Sequence, residues 1–90
     1  MMNYEEVKTM VKVLENNDDA FARYNEDSIC VTLNNCDTDW EGCEYNNEEA
    51  VDAFLDTLDA NCIKAEHDWI YVSYTFDGFM VNIRYLSNEA

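Results

Sequence analysis

The chain has no proline and only two glycines. No Pro- or Gly-rich linker divides it, and 90 residues suit one small domain, 1–90. Cations are also scarce: five basic residues stand against twenty acidic ones, for a formal net charge of −15. Such a surface repels DNA, RNA and anionic membranes, so neither a nucleic acid nor a membrane is an expected partner. His67 is the single histidine, and no Cys-x-x-Cys spacing accompanies it. That leaves little for a zinc site. Cys62 stands five residues before His67 among acidic neighbours, a poor setting for a thiolate nucleophile. No catalytic residues, no cofactor and no enzymatic activity are expected. No apolar run approaches a membrane span. The start carries Glu5 and Glu6 and lacks the apolar run of a signal peptide, so a cytoplasmic protein is expected. There thiols stay reduced, although four cysteines would permit disulfides in a secreted chain. Cys30, Cys43 and Cys62 then read as small hydrophobes in or near the core.

What is present is apolar enough to fold, with 48% hydrophobic residues and 13% aromatics. The stretch that organises the chain runs from Trp69 to Leu86. Two alternating, β-branched and aromatic runs flank Asp77-Gly78, a strong signal for a two-residue hairpin turn. That turn fixes the register. Phe76 is expected opposite Phe79, Tyr74 opposite Val81, Val72 opposite Ile83 and Ile70 opposite Tyr85, forming an apolar face for the core. The other face pairs Thr75 with Met80, Ser73 with Asn82, Tyr71 with Arg84 and Trp69 with Leu86, and is expected to be half solvated. A lone hairpin is marginal in water, so other elements must cover it.

Those elements come earlier. Asn3 and Glu6 form a cap, and Val7, Met10, Val11 and Leu14 then mark a helical stripe from about Tyr4 to Glu15. Ala20 to Tyr24 is a short edge strand, with Asn25-Glu26-Asp27 as a turn. Ser28 to Leu33 alternates as a half-buried strand. Asn34 to Thr38 reads as a turn, and Asp39 to Tyr45 as a poor returning strand with a bulge or loop at Gly42. Asn46 with Glu49 caps a second helix, from about Asn47 to Asn61, whose stripe is Val51, Phe54, Leu55, Leu58 and Cys62. Ile63 to Asp68 reads as a connector. The expected fold is α+β: a small antiparallel sheet of four to five strands with two helices packed on one face, in the order α-β-β-(β)-α-β-β.

The acids concentrate in one region. The second helix carries Glu48, Glu49, Asp52, Asp56 and Asp59 with no cation among them, and the loop before it adds Asp37, Asp39, Glu41 and Glu44. Like charges at i, i+4 destabilise a helix by roughly 0.2–0.5 kcal/mol per pair. A solvated face that keeps the chain soluble is the plain interpretation. The functional one starts from spacing. A four-residue helical step advances about 6 Å, and phosphates along a DNA strand step by a comparable few ångströms. A rigid carboxylate row at that pitch suits a groove built for a nucleic-acid backbone. Trp40 and Tyr45, beside the acids, are candidate apolar anchors. Trp40, Trp69 and Tyr71 form either an exposed patch or, for at least two of them, part of the core.

A second pattern overlaps the first. Asp37-Thr38-Asp39-Trp40-Glu41-Gly42 through Glu48 places acids at positions 1, 3, 5 and 12 and Gly at 6 of a calcium loop. Against it stand the strand pattern before it, Glu44 at the usually apolar position 8 and the long Glu41 at position 5. A calcium-binding module therefore remains an alternative, and no metal site is assigned.

The chain also resembles a family. Met2-Asn3-Tyr4 opens a helix, Val31-Thr32-Leu33-Asn34-Asn35 leads to a turn, and Glu48-Glu49-Ala50-Val51 opens the next helix. Across residues 2–60 this architecture, with the acidity, resembles small phage-encoded inhibitors that mimic DNA, most of all type II-A anti-CRISPR proteins. The C-terminal hairpin departs from that pattern. The resemblance implies a protein inhibitor, acting in the cytoplasm of a bacterial host as monomer or homodimer. Its partner would be a basic nucleic-acid-binding protein such as a CRISPR effector. Acidic immunity or antitoxin-like proteins match in size and charge and remain a second alternative. Halophilic adaptation fits poorly with the many Asn and the four Cys.

Overall fold

The computed structural model describes residues 2–36, 44–68 and 70–87. Its elements run α1 (Tyr4–Asn16), β1 (Ala20–Tyr24), β2 (Ser28–Cys36), α2 (Glu48–Asn61), β3 (Lys64–Asp68), β4 (Tyr71–Phe76) and β5 (Phe79–Ser87). The fold is α+β, with one five-stranded sheet in the order β1-β2-β5-β4-β3.

The β4–β5 hairpin forms in the register that its turn dictates. Phe76 pairs with Phe79, Tyr74 with Val81 and Val72 with Ile83. Gly78 supplies the positive φ the tight turn needs, at +89°. Phe76 and Phe79 stack beside the turn with ring centroids 4.8 Å apart, and Tyr4 meets Phe79 edge-on at 5.9 Å. The apolar face stops short of expectation: Ile70 precedes β4, accepts the Tyr85 N–H through its carbonyl, and is exposed rather than in the core. Trp69, its expected neighbour on the other face, lies outside the described residues.

The sheet is mixed rather than antiparallel. β2 and β5 pair in parallel, from Ser28 opposite Met80 to Leu33 opposite Tyr85. The reason is parity. Helix α2 returns the chain to the end of the sheet where β2 began, so β3 runs parallel to β2. The third strand of the β3-β4-β5 meander then repeats that direction and lies against β2. β3 itself corrects the expected connector at Ile63 to Asp68. β2 also continues through Asn34 and Asn35 to Cys36, where a turn was expected, with a register irregularity after Leu33. The expected returning strand, Asp39 to Tyr45, falls outside the described residues up to Cys43, and Glu44 and Tyr45 are not in a strand.

Both helices cover one face of this sheet. Val7, Val11 and Leu14 of α1 and Val51, Phe54 and Leu58 of α2 are buried with Ile29, Val31, Leu33, Val72, Tyr74, Phe76, Val81 and Ile83. Asn3 caps α1 by accepting the Glu6 N–H at 2.9 Å. The α2 cap is Asn47, which accepts from Ala50 at 3.1 Å; the expected cap, Asn46, has another task.

That task belongs to the corner after α1. Asp18 adopts a left-handed φ of 60°. Its N–H reaches the Glu15 carbonyl, and the Asp19 N–H reaches the Leu14 carbonyl, each at 3.0 Å. This is a Schellman turn with Asp where Gly is usual. The turn drives the Asp19 side chain inward, where it is fully buried. Its carboxylate accepts the Asn46 N–H at 2.6 Å and the Asn47 N–H at 2.9 Å. The Asn46 amide nitrogen donates to the Asn17 carbonyl at 2.7 Å. An anion at a helix N-terminus is also favoured by the exposed N–H groups there. The end of α1 thus fixes the start of α2.

Three tyrosines add a pH dependence. Tyr24 donates to Glu15 at 2.5 Å, while the Lys8 and Lys12 amines sit 5.2 and 4.5 Å from its ring centre. Burial, then the Glu15 contact, pushes its phenol well above the ordinary value of 10.0. Burial, then the nearby Asp59, raises Tyr74 as well, and burial raises Tyr71. A raised phenol pKa means that the fold favours the protonated form. Its contribution is complete below the unfolded value of about 10 and is lost as pH rises through the folded values. Denaturant midpoints should therefore hold level to about pH 9 and fall above pH 10. Tyr24→Phe should lower the plateau and make the alkaline fall shallower; a fall of unchanged steepness would mean that Tyr24 is not among the groups responsible.

Candidate partner-binding face

The face is built on α2. At 3.6 residues per turn, Glu48, Glu49, Asp52, Asp56 and Asp59 fall within an arc of about 100°. Val51, Phe54 and Leu58 occupy the opposite side and are fully buried, so burial of the stripe turns the acids outward. All five carboxylates are exposed. From Glu48 to Asp59 the row extends about 16 Å along the axis.

Little nearby neutralises it. The ion pairs among the described residues are Lys12–Glu15 at 3.7 Å and Lys64–Glu66 at 2.8 Å, neither on α2. Lys8 and Lys12 are drawn to the Tyr24 ring beside α1. Arg23 and Arg84 project from β1 and β5 on the sheet face away from the helices, on the register positions of Phe21, Tyr71 and Met80. Acidic side chains in the first turn of α2 suit its N-terminus, but Asp56 and Asp59 lie toward the end where negative charge is unfavourable.

The other expected residues divide. Glu44 is exposed just before α2, and Tyr45 packs half-buried against the core. Asp37, Asp39, Trp40 and Glu41 lie outside the described residues, as does most of the calcium-like loop ending at Glu48. That loop is entered from strand β2, whereas a helix-loop-helix calcium site needs an entering helix. Among the described residues, no group of three His, Cys, Asp or Glu side chains could hold a metal ion. Cys62 ends α2 against the core, while Cys30 is half-buried on the open sheet face, its sulfur 3.8 Å from the Asn82 amide. Tyr71 is 40% exposed on that same open face.

Asp19 is the residue that sequence reasoning missed. Its carboxylate is fully buried, and it aims the row by holding Asn46 and Asn47 at the N-terminal end of α2.

No family model, no curated protein and no solved structure matches this chain. Among the described residues, no helix is long and apolar enough to cross a membrane.

Proposed function

We propose that this protein is an inhibitor that occupies the basic groove of a nucleic-acid-binding effector, in the manner of DNA-mimicking anti-CRISPR proteins. The observation that carries the reading is the outward face of α2: five exposed carboxylates on one rigid helix, without a basic partner among the described residues. A solvated face needs only scattered charge. This one keeps the acids in a row against the cost of their mutual repulsion. In the groove, Lys and Arg of the partner replace phosphate contacts with carboxylate contacts, and Arg pairs bidentately. The net charge of −15 steers encounter, so association is fast and falls with added salt. Exposed ion pairs are worth only about 0–1 kcal/mol each, so lasting affinity also needs apolar contact; Trp40 is the candidate for it. A CRISPR effector is the partner proposed, because the resemblance points there.

Capture from a bacterial lysate tests the reading. The wild-type chain should retain a nucleic-acid-binding protein. Changing Asp52, Asp56 and Asp59 together to Asn should abolish retention, with circular dichroism unchanged. Retention of the same partner by the triple variant would refute the assignment of the row.

A further inference from the structure

We propose that the sheet face away from the helices is where two copies of this chain meet, sheet against sheet, about a twofold axis running along β5. No described helix covers this face, and it exposes Phe21, Tyr71 and Met80 at 51, 40 and 39%. It is also the part of the surface where a second, strongly acidic copy can approach. Three of the chain's five cations project from it, Arg23, Arg84 and Lys64, against the two acids of β3, Glu66 and Asp68. The α2 carboxylates lie on the far side of the sheet.

The register gives the pairing. Arg23 stands opposite Cys30, Cys30 opposite Asn82, Asn82 opposite Ser73 and Ser73 opposite Glu66. Arg23 and Glu66 therefore occupy one cross-strand row at opposite edges, each two strands from Asn82. A twofold along β5 exchanges the edges. It sets Arg23 of each copy over Glu66 of the other, giving two equivalent ion pairs in an isologous interface. Glu66 keeps Lys64 at 2.8 Å within its own copy, so each pair becomes a three-charge network. In the neighbouring row Arg84 meets its own symmetry mate, an unfavourable contact. Tyr71, its cross-strand partner in both copies, offers each guanidinium a ring to stack on. Five strands span about 19 Å and five residues about 17 Å, a small footprint. Such an interface sits at the weak end of specific contacts, so micromolar rather than nanomolar association is expected.

Sedimentation equilibrium from about 1 μM to 1 mM tests this, a range that spans weak association. The full chain should show a monomer–dimer equilibrium. Arg23→Glu alone and Glu66→Arg alone should each weaken it at least tenfold, and the double variant should restore it. Both positions are exposed, and circular dichroism checks that each variant folds. A wild-type chain that stays monomeric throughout, single reversals without effect, or a double variant that does not recover would each overturn the proposal. Capture by the α2 face does not enter this measurement, so the two proposals fail separately.

Discussion

Replacing Phe54 with alanine should lower the unfolding free energy by about 3–5 kcal/mol, the range for a fully buried aromatic truncated in a core. Among the described residues, Phe54 is the largest fully buried side chain, and it sits at the middle of the α2 stripe. A 90-residue domain has only about 5–13 kcal/mol in hand. The change therefore removes a large share of the stability, and it does so at the helix that carries the carboxylate row. Urea titration followed by circular dichroism reads it directly. A loss below about 1 kcal/mol would mean that α2 is not seated on the sheet as described.

Asp19→Ala should be the other large loss, about 3–6 kcal/mol, because hydrogen bonds to a charged group are worth roughly 1.5–3 kcal/mol each and two are removed. Asp19→Asn should lose less, since the amide keeps one acceptor oxygen and can hold either the Asn46 or the Asn47 N–H. The order wild type, Asn, Ala in denaturant midpoint is the expected result. Equal stability of the Ala variant would contradict the role of this corner in fixing α2. Hydrogen exchange adds a local reading: the Asn46 and Asn47 amides should lose protection first in Asp19→Ala.

Much of this arrangement was legible in the residues. The two-residue turn at Asp77-Gly78 left one register for β4 and β5, and the pairs follow it. The stripes of α1 and α2 gave their buried sides, and hence the outward row of Asp52, Asp56 and Asp59. β3 escaped because an outer strand needs no apolar alternation. In Lys64-Ala65-Glu66-His67-Asp68 only Ala65 packs against the core, and backbone pairing with β4 holds the strand in place. The parallel β2–β5 pair escaped because strands distant in sequence choose partners by how the whole chain packs. No local pattern in Ser28–Cys36 records that choice. Asn46 and Asn47 are adjacent and equally good caps; the Asn46 side chain is taken by the Asn17 carbonyl, which leaves Asn47 to cap α2. Asp19 in turn hid among Asn16, Asn17 and Asp18, a polar run that reads only as a helix stop. Its burial follows from the left-handed turn at Asp18, which composition does not reveal.

The central claim is that the α2 row takes the place of a nucleic-acid backbone, and mutual exclusion tests it most directly. The captured effector is loaded with fluorescently labelled DNA, and the protein is titrated in while anisotropy is read. The account predicts complete displacement of the DNA by the wild-type chain. It also predicts a displacement midpoint that rises steeply with salt, and little or no displacement by the Asp52→Asn, Asp56→Asn, Asp59→Asn variant. A stable ternary complex of effector, DNA and wild-type protein, or displacement by the triple variant at the same midpoint, would contradict it.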